Sequence, residues 1–107
     1  MDYYRQGDIF IIPIPAKRAP AQKHRIAPED GRIVLAYGEV TGHAHALPAA
    51  ECELYETADE VDRLLRVRSR VTTLSHEEHA AIVLPQGDYI VRRQREYAPE
   101  AVRLVAD

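Results

Sequence analysis

An all-β fold is the expectation: a small, single-domain antiparallel β-barrel or sandwich over residues 1–107, with a long N-terminal loop. Three observations predict it. Short apolar runs rich in β-branched residues recur along the chain. Glycine and proline fall between those runs. No segment carries apolar periodicity over the length of an ordinary helix. A chain of 107 residues supports one core. That core is small enough for a bound metal or homo-oligomerisation to add usefully to its stability.

The elements follow in order. Asp8-Ile9-Phe10-Ile11-Ile12-Pro13-Ile14 reads as a buried strand, ended or placed on an edge by Pro13 and Pro15, since proline cannot donate to a ladder. Residues 15–31 read as a polar, basic loop broken by Pro15, Pro20, Pro28 and Gly31, with His24 on its surface. Arg32–Tyr37 is a second buried strand, broken by Gly38. The chain is then extended between Gly42 and Pro48. In Glu51–Glu56, Cys52 and Leu54 face inward and the glutamates outward. Val61, Leu64 and Leu65 have helical spacing, with Thr57 or Asp59 as a cap, but the alternation Leu65-Arg66-Val67-Arg68 favours a strand over 63–68. A turn near Ser69-Arg70 and another strand to Leu74 follow. Ala80–Leu84 is a buried run, Pro85-Gln86-Gly87-Asp88 a turn, and Tyr89–Tyr97 a long strand. Ala98-Pro99-Glu100 turns the chain, and Ala101–Val105 closes it.

The formal net charge of −3 gives no global attraction to nucleic acid or anionic membrane. An acidic stretch from Glu51 to Asp62 gives way to Arg63, Arg66, Arg68 and Arg70, which read mainly as an ion-paired surface. No apolar run reaches the roughly 20 residues of a membrane span. The first residues lack the pattern of a signal peptide, so the cytoplasm is the expected location. The single cysteine, Cys52, excludes an internal disulfide and a paired-cysteine zinc site, and its inward register makes it a buried, inert thiol.

Chemistry concentrates in two segments. Gly42-His43-Ala44-His45 sets two imidazoles on one face of an extended chain, and Ser75-His76-Glu77-Glu78-His79 sets two more within one helical turn or one tight turn. Imidazole is the commonest transition-metal ligand near neutral pH, so His43, His45, His76 and His79 are predicted to share an ion: Zn, Fe, Ni, Mn or Cu. Glu77 or Glu78 would serve as a further ligand, a partner that orients a ligand, or a general base. Arg93, Arg95 and Tyr97 would share one face of the last long strand and hold an anionic group, while Arg92, Gln94 and Glu96 face the other way. No nucleophile elbow, P-loop or dinucleotide-binding glycine motif is present.

Gly38 to His45, Glu51 after it, and Pro85-Gln86-Gly87 later resemble the two motifs of the cupin barrels. The resemblance implies a β-barrel with a metal inside, and leaves the substrate open. It departs from the family at Ile90, where the last histidine of the second motif would stand, so His76 and His79 would have to replace it. The first expectation is therefore a metal-dependent enzyme acting on a small phosphate- or carboxylate-bearing substrate. A metal-independent ribonuclease or phosphodiesterase, with RNA held by arginines, is the second. A non-enzymatic metal- or ligand-binding module is the third.

Overall fold

Alternating burial along short strands builds a core between two antiparallel sheets. The computed structural model describes residues 2–94. Its strands are β1 (Tyr4–Gln6), β2 (Ile9–Ile14), β3 (Gln22–Arg25), β4 (Arg32–Tyr37), β5 (Ala44–Pro48), β6 (Cys52–Thr57), β7 (Arg63–Leu74) and β8 (Ile82–Arg93). Six form one sheet in the order β1-β2-β8-β7-β6-β3, and β4 and β5 form the other. The core lies between them: Ile9, Ile11, Leu54, Leu65, Val67, Leu84 and Val91 from the larger sheet meet Ile33, Leu35 and Leu47 from the smaller. The architecture is all-β as expected, and of the two forms predicted it is the open, sandwich-like one. At the seam, the carbonyls of Leu35 and Tyr37 accept hydrogen bonds from the guanidinium groups of Arg63 and Arg93. Side chains, rather than a backbone ladder, join β4 to the larger sheet there, and the barrel stays unclosed. No helix among the described residues is long and apolar enough to cross a membrane.

Three expected boundaries are corrected. Residues 15–31 are not one loop: they hold a 3-10 turn at Ala16–Arg18 and the strand β3. All four residues of β3 are exposed, so it carries no apolar alternation to read. Its order comes from pairing with β6 and from ion pairs, His24 to Glu56 at 2.8 Å and Lys23 to Glu60 at 2.6 Å. Second, no turn interrupts the chain at Ser69-Arg70, because β7 runs unbroken to Leu74. Third, Pro85-Gln86-Gly87-Asp88 does not reverse the chain but lies within β8. These last two features face each other. The register passes from Val67 opposite Gly87 to Val71 opposite Pro85, so residues 68–70 bulge against Gln86 alone. The bulge uses the backbone groups it frees: Arg68 N–H donates to the Glu51 carbonyl at 2.8 Å, and the Gln86 amide donates to the Arg68 carbonyl at 2.7 Å.

The bulge bends the β7–β8 hairpin, and its far end reaches the smaller sheet. Ser75 and Ala46 exchange backbone hydrogen bonds of 3.0 and 2.9 Å, which sets the loop after β7 beside β5. The arginine-rich strands are ion-paired as expected: Arg66 grips the buried Asp88 through two nitrogens, Arg68 meets Glu53 at 3.0 Å, and Arg92 chelates Asp62. Cys52 is fully buried, its thiol 3.6 Å from the Thr72 hydroxyl and its pKa pushed up by burial. The run Ala80–Leu84 is only partly interior, because Val83 points to solvent.

Leu54 is wholly buried and lies opposite Leu65 on the neighbouring strand. Leu54→Ala is expected to lower unfolding free energy by about 2–5 kcal/mol, read as a reduced urea midpoint at unchanged slope.

Candidate functional site

Three chain reversals bring the chemistry together. β1 and β2 are joined by the turn at Gly7-Asp8, β4 and β5 by residues 38–43, and β7 and β8 by residues 75–81. The three connections meet at one end of the sandwich around a cleft of about 340 Å³. Asp8, Tyr37, Glu39, His43, His45, His76, Glu78, His79 and Arg93 all contribute to its lining.

The four histidines of the two segments do converge. Ring centroids lie 4.3 Å apart for His45 and His76, 4.8 Å for His76 and His79, 5.9 Å for His43 and His76, and 6.0 Å for the stacked His45 and His79. The backbone leaves them room only where it carries no side chain. At Gly7, with φ +61°, an added Cβ would stand 2.9 Å from His79 Nε2 and 3.3 Å from His45 Cε1. At Gly38 it would stand 3.2 Å from both His43 Cβ and His76 Nε2.

His45 is the innermost of the four, at 3% exposure. Its Nδ1 lies 2.8 Å from Oε1 of the buried Gln6. The Gln6 amide nitrogen donates to the carbonyls of Leu74, at 3.2 Å, and Ala80, at 3.0 Å. Those two acceptors identify the Gln6 nitrogen, so its oxygen accepts from His45 Nδ1–H. The other ring nitrogen, Nε2, faces Asp8 Oδ1 at 3.8 Å. Burial first, then the neighbouring His76, lowers the His45 pKa to about 4, only partly opposed by Asp8, so the ring is neutral at pH 7.

His43 Nδ1 lies 2.7 Å from Glu78 Oε2 but out of line for a hydrogen bond, and this buried nitrogen has no hydrogen-bond partner among the described residues. Arg93 reaches Asp8 Oδ2 at 3.4 Å and the Tyr37 carbonyl at 3.3 Å. Three carboxylates, from Asp8, Glu39 and Glu78, thus surround the imidazoles against the single guanidinium of Arg93. Among the described residues, no three or more His, Cys, Asp or Glu side chains stand in a ready-made coordination geometry.

The two predicted glutamates separate. Glu78 lines the cleft, whereas the Glu77 carboxylate accepts the Ala44 N–H at 2.9 Å and is absent from the lining. That bond and one to its own backbone N–H hold the Glu77 carboxyl below its usual pKa. Glu77 thus ties the loop to β5 and stands outside the cleft lining. Glu51, expected after the first histidine pair, is also absent from the lining and accepts the Thr72 hydroxyl at 2.7 Å. Arg93 is in place, and Arg95 and Tyr97 lie outside the described residues. Sequence reasoning missed Asp8 as a site residue, and it set Gln6 beside the arginines of the last strand and not against His45. The signal available was the polar trio Gln6-Gly7-Asp8 immediately before an apolar strand.

The chain belongs to the family described as Domain of unknown function (DUF8820), which matches residues 5–94. That span holds every described residue of the cleft. No curated protein and no solved structure matches the chain.

Two outcomes are expected of the protein measured in EDTA. The unfolded chain protonates His45 below about pH 6.5, whereas the native ring stays neutral down to about pH 4. The unfolded state therefore binds more protons in that window, so stability falls as pH falls through it and levels off below it. Comparing urea midpoints of wild type and His45→Gln from pH 7 to 4 isolates this contribution, which the variant lacks. Separately, Gly7→Ala meets both a left-handed backbone and the His79 ring, and is expected to cost at least about 1 kcal/mol in the same assay.

Proposed function

We propose that the cleft binds a divalent transition metal, one of Zn, Fe, Ni, Mn or Cu, in a metal-dependent enzyme acting on a small phosphate- or carboxylate-bearing substrate. One observation carries the reading. His45 Nε2, whose proton sits on the opposite nitrogen, faces the Asp8 carboxylate at 3.8 Å. Two electron-pair donors at that distance favour a cation between them. Donors to a tetrahedral ion with bonds of about 2.1 Å stand about 3.4 Å apart, so a small side-chain movement brings this pair to ligand spacing. His43 Nδ1, beside Glu78 Oε2 but without a hydrogen bond among the described residues, supports the same reading, as does the neutral state of His45, since a protonated ring cannot ligate. His79 stacks on His45 and stands ready as a further ligand.

The residues divide the work around such an ion. Asp8 and His45, with His43 and His79, would hold it. A bound divalent ion would supply a Lewis acid and polarise a substrate oxygen. Glu78, exposed at the cleft wall beside His43, would take up a proton as general base. Arg93, already aimed by Asp8 and the Tyr37 carbonyl, would turn its remaining N–H groups to an anionic group. The electrostatics set an order of binding. Without a cation the lining is net negative and opposes an anion, and a divalent ion cancels that charge. The same imbalance weighs against a metal-independent ribonuclease, in which phosphate must enter the bare cleft. The cupin resemblance is no part of this support.

Titration of metal-free protein with Zn²⁺ or Co²⁺ is expected to show one bound equivalent, lost together in His43→Ala and His79→Ala. At one hundred times Kd the ion should stabilise the fold by about 2.7 kcal/mol. Inorganic phosphate should bind the loaded protein and not the EDTA-treated one. Wild type that binds none of the five metals removes the proposal. Loss of metal in only one variant removes the shared site. Tight metal binding without turnover of phosphate or carboxylate esters marks a storage or sensing module instead.

A further inference from the structure

We propose that the fold holds His45 and His76 in opposite tautomers, so that His45 offers the cleft a lone pair while the adjacent His76 offers it an N–H. This rests on the metal reading for the identity of the guest. The tautomers themselves rest on hydrogen bonds that involve no metal.

For His45 the proton lies on Nδ1, fixed by the Gln6 oxygen, and the Nε2 lone pair faces the cleft. His76 is wired the other way. The main-chain N–H of Glu78 donates to His76 Nδ1 at 3.0 Å. A nitrogen that accepts must present its lone pair, so the neutral ring keeps its proton on Nε2. That nitrogen points toward Gly38 at the cleft wall. The two rings are neighbours, with centroids 4.3 Å apart and planes tilted by 37°.

The consequence is a division of roles among four histidines that the sequence presents as equivalent. His45 is a ligand. His76 cannot ligate through Nε2 without giving up its bond to the Glu78 amide. Its N–H is placed instead to donate to an oxygen of an anion resting on the ion. Gln6 is the positioning residue. Its oxygen selects the His45 tautomer that water disfavours, since a free neutral imidazole prefers its proton on Nε2. Its nitrogen binds Leu74 and Ala80, the residues on either side of the 75–79 loop that carries His76 and His79. One side chain, 2% exposed, therefore sets both the ring and the loop facing it. Glutamate at this position would still accept from His45 but would repel the two carbonyls, and leucine would strand all three polar groups.

Nitrogen-15 NMR of imidazole-labelled, metal-free protein at neutral pH reads both tautomers directly. The expected result is Nδ1–H for His45 and Nε2–H for His76. Gln6→Leu should return His45 to Nε2–H and weaken Zn²⁺ binding about 10- to 100-fold. Gln6→Glu should restore the His45 tautomer while remaining less stable than wild type, which separates positioning from stability. His76→Ala should keep Zn²⁺ affinity within about threefold and weaken inorganic phosphate binding to the loaded protein about tenfold, the loss of one hydrogen bond to a charged group. His45→Ala should lose the metal. An Nε2–H signal for His45, an Nδ1–H signal for His76, or loss of metal in His76→Ala to the extent seen in His45→Ala overturns the proposal. Opposite tautomers in a wild-type protein that binds no metal remove the metal reading instead, and leave the donor–acceptor pair standing.

Discussion

A bend in one hairpin governs this molecule. Strands β7 and β8 are too long to follow one flat sheet, and the bulge opposite Gln86 turns their far halves toward the smaller sheet. There Ser75 and Ala46 exchange backbone hydrogen bonds, and the loop carrying His76 and His79 comes to rest beside the strand carrying His45. Pairing in antiparallel strands is continuous, so a shift of one residue in the bulge would move every contact beyond it. The proline, glycine and glutamine of that stretch serve the bend and make no cleft.

Once the loop is in place, one buried amide holds it. Gln6 spends both ends of its side chain on the site, accepting from His45 and donating to the residues that flank the loop. A buried amide with every partner satisfied costs little to keep and much to disturb, because an apolar replacement leaves all three of its partners without it. Function and stability are thereby coupled: the interaction that aims His45 also fastens the hairpin tip.

The cleft gathers groups that do not favour one another's company. Four imidazoles are packed against three carboxylates and one guanidinium, with the glycines at 7 and 38 leaving the rings space that any Cβ would occupy. Burial holds His45 neutral, while Asp8 beside it resists that effect without overcoming it. This concentration of donors and negative charge is the ground on which a bound cation is proposed.

Alternation and turn residues determine the all-β class, most strand positions and the buried Cys52, whereas His43 falls in the turn before β5 and not on the strand that carries His45. These follow from local steric preference and from the period of two that a half-buried strand imposes. The four histidines were legible as candidates for one site because their residue type and close spacing are local properties. Three things were decided only by the tertiary structure. The exposed strand β3 has no apolar pattern and exists through its partner β6. The segments at Ser69-Arg70 and Pro85–Asp88 carry turn residues, yet facing each other they make a bulge instead of two reversals. Gln6, Asp8 and Glu77 take their roles from long-range contacts across 33 to 74 residues of sequence. A hydrogen bond of that span leaves no mark on the local pattern, because its partners are neighbours only after the hairpin has bent.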